Sequence, residues 1–436
     1  MSDTEEQKLL DAHVLETEVT SPEAAIIEKT ARQGRLFAAL KHQEYRYLWT
    51  GALLSNIGTW IQSIALGWFV LELTNSEFSL GLVNFASGIP TFFLALFAGM
   101  AADRYDRRSL LILTQGILMG LALVLATFVS FDSATFMIVI VITFAAGIAT
   151  SFGFPAWLSL IPELVPKKDL LNAVALNSAQ FNVARLLGPA IAGLIIKFAG
   201  VAVALYVNAV SFLAVIVALL LVKSRSAGVA KADGSERAWQ RFIGGVRYAR
   251  SHVSTATLLI LIGVLTLFGL SHTVLLPVFA RDILGRGPQV YGNLMAASGL
   301  GAVTGALLVA SASNIASRKT LIKAGMAFYG ASLLLFASSE TYIVSLVAQF
   351  FAGSAFLTCV STINTSLQSS TPPEIRGRVM SLFVWALMGI FPFGGFLAGS
   401  LAQLLGAPIA VGFGAIMLIS SALALQLRPR LLASIE

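Results

Sequence analysis

The sequence predicts an all-α membrane protein whose twelve transmembrane helices form two six-helix pseudo-repeats, and three observations carry that prediction. The 436 residues are 57% hydrophobic and only 12% charged, whereas soluble domains carry about 25% charged residues. Lipid must therefore solvate most of this chain. Apolar residues also run without interruption over lengths near the ~20 that a helix needs to cross roughly 30 Å of hydrocarbon. Finally, features of the first half recur in the second at a constant offset of 211 residues.

Taken in order, the predicted spans are 49–71, 79–101, 109–129, 134–160, 170–196, 201–222, 256–279, 290–312, 320–338, 342–367, 378–404 and 408–427. Their apolar runs lack the two-residue alternation of barrel strands, so helices are the only spanning structure left. Residues 1–35 are polar and acidic (Asp3, Glu5, Glu6, Asp11, Glu16, Glu18, Glu23, Glu28), the reverse of a signal peptide, and are expected to be a disordered tail. Just before the first span, Leu36, Phe37, Leu40 and Leu48 interleave with Arg35, Lys41 and Arg46, the pattern of a helix lying in the membrane interface. The expected organisation is a six-helix bundle over 36–222, a cytoplasmic linker over 223–252, a second bundle over 253–427 and a cytoplasmic tail over 428–436.

Charge distribution tests the count of spans. With twelve spans, 25 of the 29 Lys and Arg residues fall on the side of the termini, among them Arg104, Arg107, Arg108, Lys167, Lys168, Arg318, Lys319, Arg376 and Arg378. Only Lys197, Arg281 and Arg286 fall opposite, and Arg185 lies inside a span. This asymmetry puts both termini in the cytoplasm. It also accounts for the net charge of +7 without a nucleic-acid partner, because the basic residues sit in short clusters between apolar runs. The single Cys359 excludes an intramolecular disulfide.

The offset of 211 lays Gly81, Ala86, Ser87 and Gly88 on Gly292, Ala297, Ser298 and Gly299. It lays Arg107 and Arg108 on Arg318 and Lys319, and Pro162 and Glu163 on Pro373 and Glu374. Two halves in the same orientation, related by an axis along the membrane normal, place a substrate site at their interface near mid-membrane.

The loop after the second span reads Gly99-Met100-Ala101-Ala102-Asp103-Arg104-Tyr105-Asp106-Arg107-Arg108. Here the sequence resembles the major facilitator superfamily, with Asp106 standing where a second glycine is usual. That resemblance implies a latch in which Asp103 meets the start of the eleventh span, near Arg376 to Arg378, and closes the cytoplasmic side. Gly99 would allow the approach, with Arg104, Arg107 and Arg108 around it; the plainer reading gives these charges a topological role only. The second copy has Asn314 and Ile315 in place of Asp103 and Arg104.

The fifth span carries Gly188-Pro189-Ala190-Ile191-Ala192-Gly193, which resembles the exporter-associated motif of the same superfamily, with alanines at some glycine positions. Small residues at helical spacing allow close crossing and proline adds a kink, so Gly188, Pro189 and Gly193 are expected to form a flexing seam. The stretch from Pro155 to Gly193, with Pro162-Glu163-Leu164-Val165-Pro166 and Asn172-Ala173-Val174-Ala175-Leu176-Asn177-Ser178, is similar to the enterobactin-exporter-like branch, the transmembrane secretion effectors. The resemblance implies proton-driven efflux from a bacterial inner membrane, with siderophores and hydrophobic drugs as substrate classes. A sensor or scaffold of the same fold is the alternative.

Arg185 is the charge that needs explaining, since an arginine near the bilayer centre costs about 2.5–3.5 kcal/mol on insertion scales. It shares a helical face with Ser178 and Asn182, which suits an anion-recognising cavity; the other reading is a structural pair. Asn56, Gln62, His272 and Gln349 are candidate cavity residues because the superfamily lines its cavity with helices 1, 4, 7 and 10; alternatively each makes an interhelical hydrogen bond. Glu72 is the only carboxylate within a span apart from Asp103 at a span end, and is therefore the candidate proton carrier, against a solvated role. No metal-binding pattern, nucleotide loop or catalytic cluster occurs, so no cofactor and no enzymatic activity are expected. The oligomeric state is not legible.

Overall fold

The computed structural model describes residues 37–222, 238–312 and 317–432, without the side chains of Ala95, Leu96, Asp103, residues 238–242 and 310–312, and Pro429. The expected tail, the first half of the linker (223–237), and the Asn314 and Ile315 of the second repeat lie outside the described residues. Among those described there is no strand.

The chain forms α1 (Gln43–Thr74), α2 (Glu77–Arg104), α3 (Arg107–Ser130), α4 (Phe136–Leu160), α5 (Leu170–Leu221) and α6 (Ala238–Ser251). It continues with α7 (Val253–Ile283), α8 (Pro288–Ala312), α9 (Arg318–Ala337), α10 (Tyr342–Ser370), α11 (Pro373–Leu405) and α12 (Ala407–Leu427). Local chemistry sets several starts. The Ser76 hydroxyl accepts from the Ser79 amide and the Asp106 carboxylate from the Ser109 amide, each capping a helix N-terminus.

Ten helices among the described residues are long and apolar enough to cross a membrane. One of them contains α5, whose 52 residues would run roughly 78 Å if straight, far more than a bilayer. Gly200 breaks it with φ 86° and ψ 170°, a conformation open to glycine. With α5 counted as two spans and the 28-residue α2 added, the architecture is consistent with twelve.

The expected interfacial helix is the one correction. Only Ala38–Lys41 forms a separate 3-10 turn, and α1 begins at Gln43. Tyr45 and Leu48 are buried because they pack on α5, where the Tyr45 hydroxyl donates to the Ala173 carbonyl at 2.8 Å. The Ala39 amide donates to Asn172 Oδ1 at 2.9 Å. The basic pattern therefore marks a helix entry strapped to α5.

The start of α1, the α2–α3 turn, the start of α5, α6 and the end of α12 share one face, here the terminal face. There the Arg108 guanidinium donates to the Leu219 and Leu220 carbonyls, satisfying acceptors at the end of α5. Arg107 pairs with Glu163. Lys323 of α9 reaches Gln426 of α12 at 3.2 Å.

Within the first half α1 lies along α5 and α2 along α4; within the second, α10 packs on α8 and α9, and α9 on α12. Across the halves, α2 meets α11 and α5 meets α8. The repeated glycines sit in these two crossings. A Cβ on Gly81 would stand 2.8 Å from the Gly395 carbonyl and 3.1 Å from Gly399 Cα, while one on Gly292 would collide with the Pro189 carbonyl. The 211-residue offset is thus a symmetry of the packing as well as of the sequence.

Candidate functional site

The cross-half contacts concentrate near the far face, opposite the termini. Phe78, Phe85 and Phe92 of α2 are spaced seven residues apart and stack against Phe396, Phe393 and Trp385 of α11, with ring centroids 5.0–5.5 Å apart. Ser76 donates to Gln403 at 2.7 Å. Lys197 reaches Gln289 at 3.0 Å. Arg281 of α7 donates to the Leu71 carbonyl (3.1 Å) and Asn75 Oδ1 (2.6 Å) of the α1 end.

Toward the terminal face the approaches thin out among the described residues, though α2 still meets α6, which packs on the start of α11. Along α5 and α8 the last glycine contact is Gly299 against the Arg185 backbone, and nothing lies within 4 Å of a Cβ built on Gly99 or Gly377. Among the described residues the interface between halves is tight at the far face and looser toward the terminal face, where α2 still meets α6.

Arg185 stands where the seam opens. It is half-buried and makes no hydrogen bond or ion pair among the described residues. Its charge acts on the Tyr329 hydroxyl and on His272, both in the other half. Asn182, one turn before it, donates to the Ser178 carbonyl of its own helix. On α1, Asn56 is half-buried, whereas Gln62 accepts from Asn208 of α5, a residue only 1% exposed. Asn182 and Arg185 are half-buried on α5, His272 and Gln349 are buried within the second half, and Gln62 is engaged in packing α1 on α5. Glu72 lies apart from them, exposed at the far end of α1, where its carboxylate accepts from the Trp68 indole at 2.5 Å.

His272 is 3% exposed. Its Nδ1 faces the Gly269 carbonyl at 2.6 Å and its Nε2 faces Gln349 Oε1 at 3.2 Å. Gln349 Nε2 is buried without a partner. The surrounding α7 is not a regular α-helix: π turns at Leu265–Gly269 and Phe279–Ile283 flank a 3-10 segment, Leu270–Leu275, that carries His272. Such irregular stretches mark functional sites and hinges. The sequence carries no periodicity signal for them, because Gly269 and Pro277 alone do not specify their geometry. Tyr329 and the Phe78–Phe85–Phe92 ladder were also missed, although the heptad spacing of the phenylalanines was visible.

The exporter-like motif divides between two partners. A Cβ on Gly188 would collide with the Trp60 side chain of α1, and one on Gly193 would stand 2.8 Å from Gln289 Cα of α8. Gly188 serves the seam within the half and Gly193 the seam between halves. In the loop motif, the Asp103 side chain lies outside those described, so the latch stays an expectation. Asp106 caps α3, and Arg107 and Arg108 tie the terminal-face loops as given above.

The sequence profile of the transmembrane secretion effectors matches residues 35–434. The chain belongs to this family of major facilitator transporters. A staphyloferrin A transporter of Staphylococcus aureus (strain NCTC 8325 / PS 47) is 24% identical over 363 residues, 83% of this chain and 90% of that one. The multidrug efflux pump Tap of Mycolicibacterium fortuitum is 26% identical over 366 residues, 81% and 88% of the two chains. The crystal structure of a bacterial homologue of the human lysosomal transporter Spinster, inward-facing and occupied, superposes with a TM-score of 0.72 at 13% identity, covering 90% of this chain and 97% of that one. At that identity the likeness shows the fold alone. The chain is a multi-pass membrane transporter, and its family is the one whose motifs its loop and fifth span resemble.

Proposed function

We propose that this transporter exports a small acidic molecule from the bacterial cytoplasm by alternating access, drawing on the proton gradient across the inner membrane. The observation that carries the reading is the Arg185 guanidinium, which has no hydrogen bond or ion pair among the described residues and stands where the cleft opens between halves. An unpaired cation at membrane depth is costly unless a cavity or ligand receives it, and a guanidinium is suited to carboxylate or catecholate oxygens by its planar fork of donors. The positive-inside distribution supports a cytoplasmic terminal face, and with it loading of cargo from within. The names of the two relatives, a siderophore transporter and a drug efflux pump, support small-molecule efflux; Arg185 favours the acidic class over cationic drugs.

In proteoliposomes, staphyloferrin A as an acidic probe is expected to be moved by the wild type when a proton gradient is imposed, and ethidium as a cationic probe is not. Transport of ethidium alone, or transport indifferent to Arg185→Ala, removes the reading.

A further inference from the structure

We propose that His272, with Gln349 as its partner, is the protonation site that couples the proton gradient to movement of the two halves; this rests on the proton-coupled reading above. Both ring nitrogens face carbonyl oxygens, Gly269 O at 2.6 Å and Gln349 Oε1 at 3.2 Å. A neutral imidazole has one N–H and can donate to only one of them, whereas an imidazolium donates to both. With Oε1 toward the ring, both nitrogens have acceptors, as the protonated ring requires, while Gln349 Nε2 is left without a partner. When the proton leaves Nε2, a lone pair faces Oε1. Turning the Gln349 amide by half a revolution brings its N–H, otherwise buried and unpartnered, onto that lone pair. The amide can thus satisfy either state, and only an N–H bond forms or breaks.

The surroundings leave the imidazole as the titratable group within the barrier. The rings of Tyr329 and Phe336 on α9 lie edge-on to it, with centroids 6.4 and 6.2 Å away, and Arg185 of α5 is the nearby cation of the other half. The segments of α2, α11 and α12 packed against the 3-10 turn bring no titratable group there; the acidic residues Glu72, Glu77, Asp103, Asp282 and Glu374 lie at helix ends. The 3-10 segment between two π turns transmits the change, because its hydrogen-bond ladder is already irregular and α2, α11 and α12 rest on it. Protonated His272 therefore belongs to the conformation open at the terminal face, and its deprotonation releases that preference.

The test is double electron–electron resonance between spin labels at Lys168→Cys and Glu374→Cys, in the full chain carrying Cys359→Ser. Lys168 and Glu374 are exposed and lie on the terminal face of opposite halves. The wild-type background is expected to shift toward the long, open distance as pH falls. His272→Gln and His272→Asn should each give a pH-independent distribution while eluting as a single folded species. Gln349→Glu, which fixes an acceptor beside Nε2, should move the midpoint up by about one pH unit or more. An unshifted midpoint in Gln349→Glu, a pH response that survives in either His272 variant, or a wild type without a pH response overturns the assignment. Gradient-driven movement of staphyloferrin A in proteoliposomes is measured separately. If it is present in wild type and also in the His272 variants, only this inference fails; if wild type ignores the gradient, the proton-coupled reading fails with it.

Discussion

Substituting Gly81 by alanine adds one methyl group to a close crossing in the far-face seam. The new Cβ would sit 2.8 Å from the Gly395 carbonyl oxygen and 3.1 Å from Gly399 Cα. Both are backbone atoms of α11, so no side-chain rotation relieves the contact, and the two helices must separate by several tenths of an ångström. Overpacking of this kind costs about 1–3 kcal/mol. The cost falls on the far-face-closed conformation alone, since the seam parts in the alternate one, and shifts the equilibrium about 5- to 150-fold. The assay is the labelling rate of Asn84→Cys, in a Cys359→Ser background, by a maleimide that cannot cross the membrane. Asn84 Oδ1 is buried against Gly395 in the closed seam, so its reactivity reads the open fraction. Gly120→Ala is the control, because nothing lies within 4 Å of a Cβ built there. A Gly81→Ala rate within twofold of the Gly120→Ala rate would show that the seam does not hold the far face shut.

Arg185→Ala should slow transport of staphyloferrin A about 10- to 150-fold, matching the 1.5–3 kcal/mol of a hydrogen bond to a charged group; Arg185→Lys keeps the charge, loses the planar fork and should fall between. Arg281→Ala removes the bonds from α7 to Leu71 and Asn75, and, these being partly exposed, should raise far-face labelling by at most about fivefold. Gln62→Leu strips Asn208 of its acceptor and should lower stability in detergent by about 0.6–1.7 kcal/mol, with transport retained once the protein is folded; a transport loss at normal stability would return Gln62 to the cargo site.

Much of the fold was legible because a bilayer imposes a simple rule. Every backbone polar group must be satisfied within its own segment, so a continuous apolar run of sufficient length is a helix. The span expected at 342–367 appears as Tyr342–Ser370, and the two expected at 170–196 and 201–222 appear as the halves of Leu170–Leu221 on either side of Gly200. Where the rule weakens, at the membrane surface, the reading was less exact: residues 35–48 resembled an interfacial helix, but Tyr45 found the Ala173 carbonyl and Leu48 a buried site.

The site was legible only as a list of polar residues in apolar runs. Composition singled out Arg185, Gln62, His272 and Gln349 alike, since each is polar at a depth where polarity is expensive. Whether such a residue spends its polarity on a neighbouring helix or presents it to a cleft depends on the rotation of its helix and on what stands opposite, and neither is local. Gln62 faces Asn208; Arg185 faces the opening; Glu72 lies at a helix end beside Trp68. The irregular α7 was invisible for a related reason, as π and 3-10 turns differ from α-helix by small dihedral changes that packing selects.

By itself, then, the sequence determined the all-helical membrane fold, its duplication and the side on which the basic residues gather, because these follow from hydrophobic length, repeated residues and charge. Tertiary structure alone decided that the duplicated glycines seal the far face, that Arg185 is left without a partner where the halves part, and that His272 stands between two carbonyls with a rotatable amide beside it. Those are relations between residues up to a hundred or more positions apart, and only the packing of one half against the other brings them together.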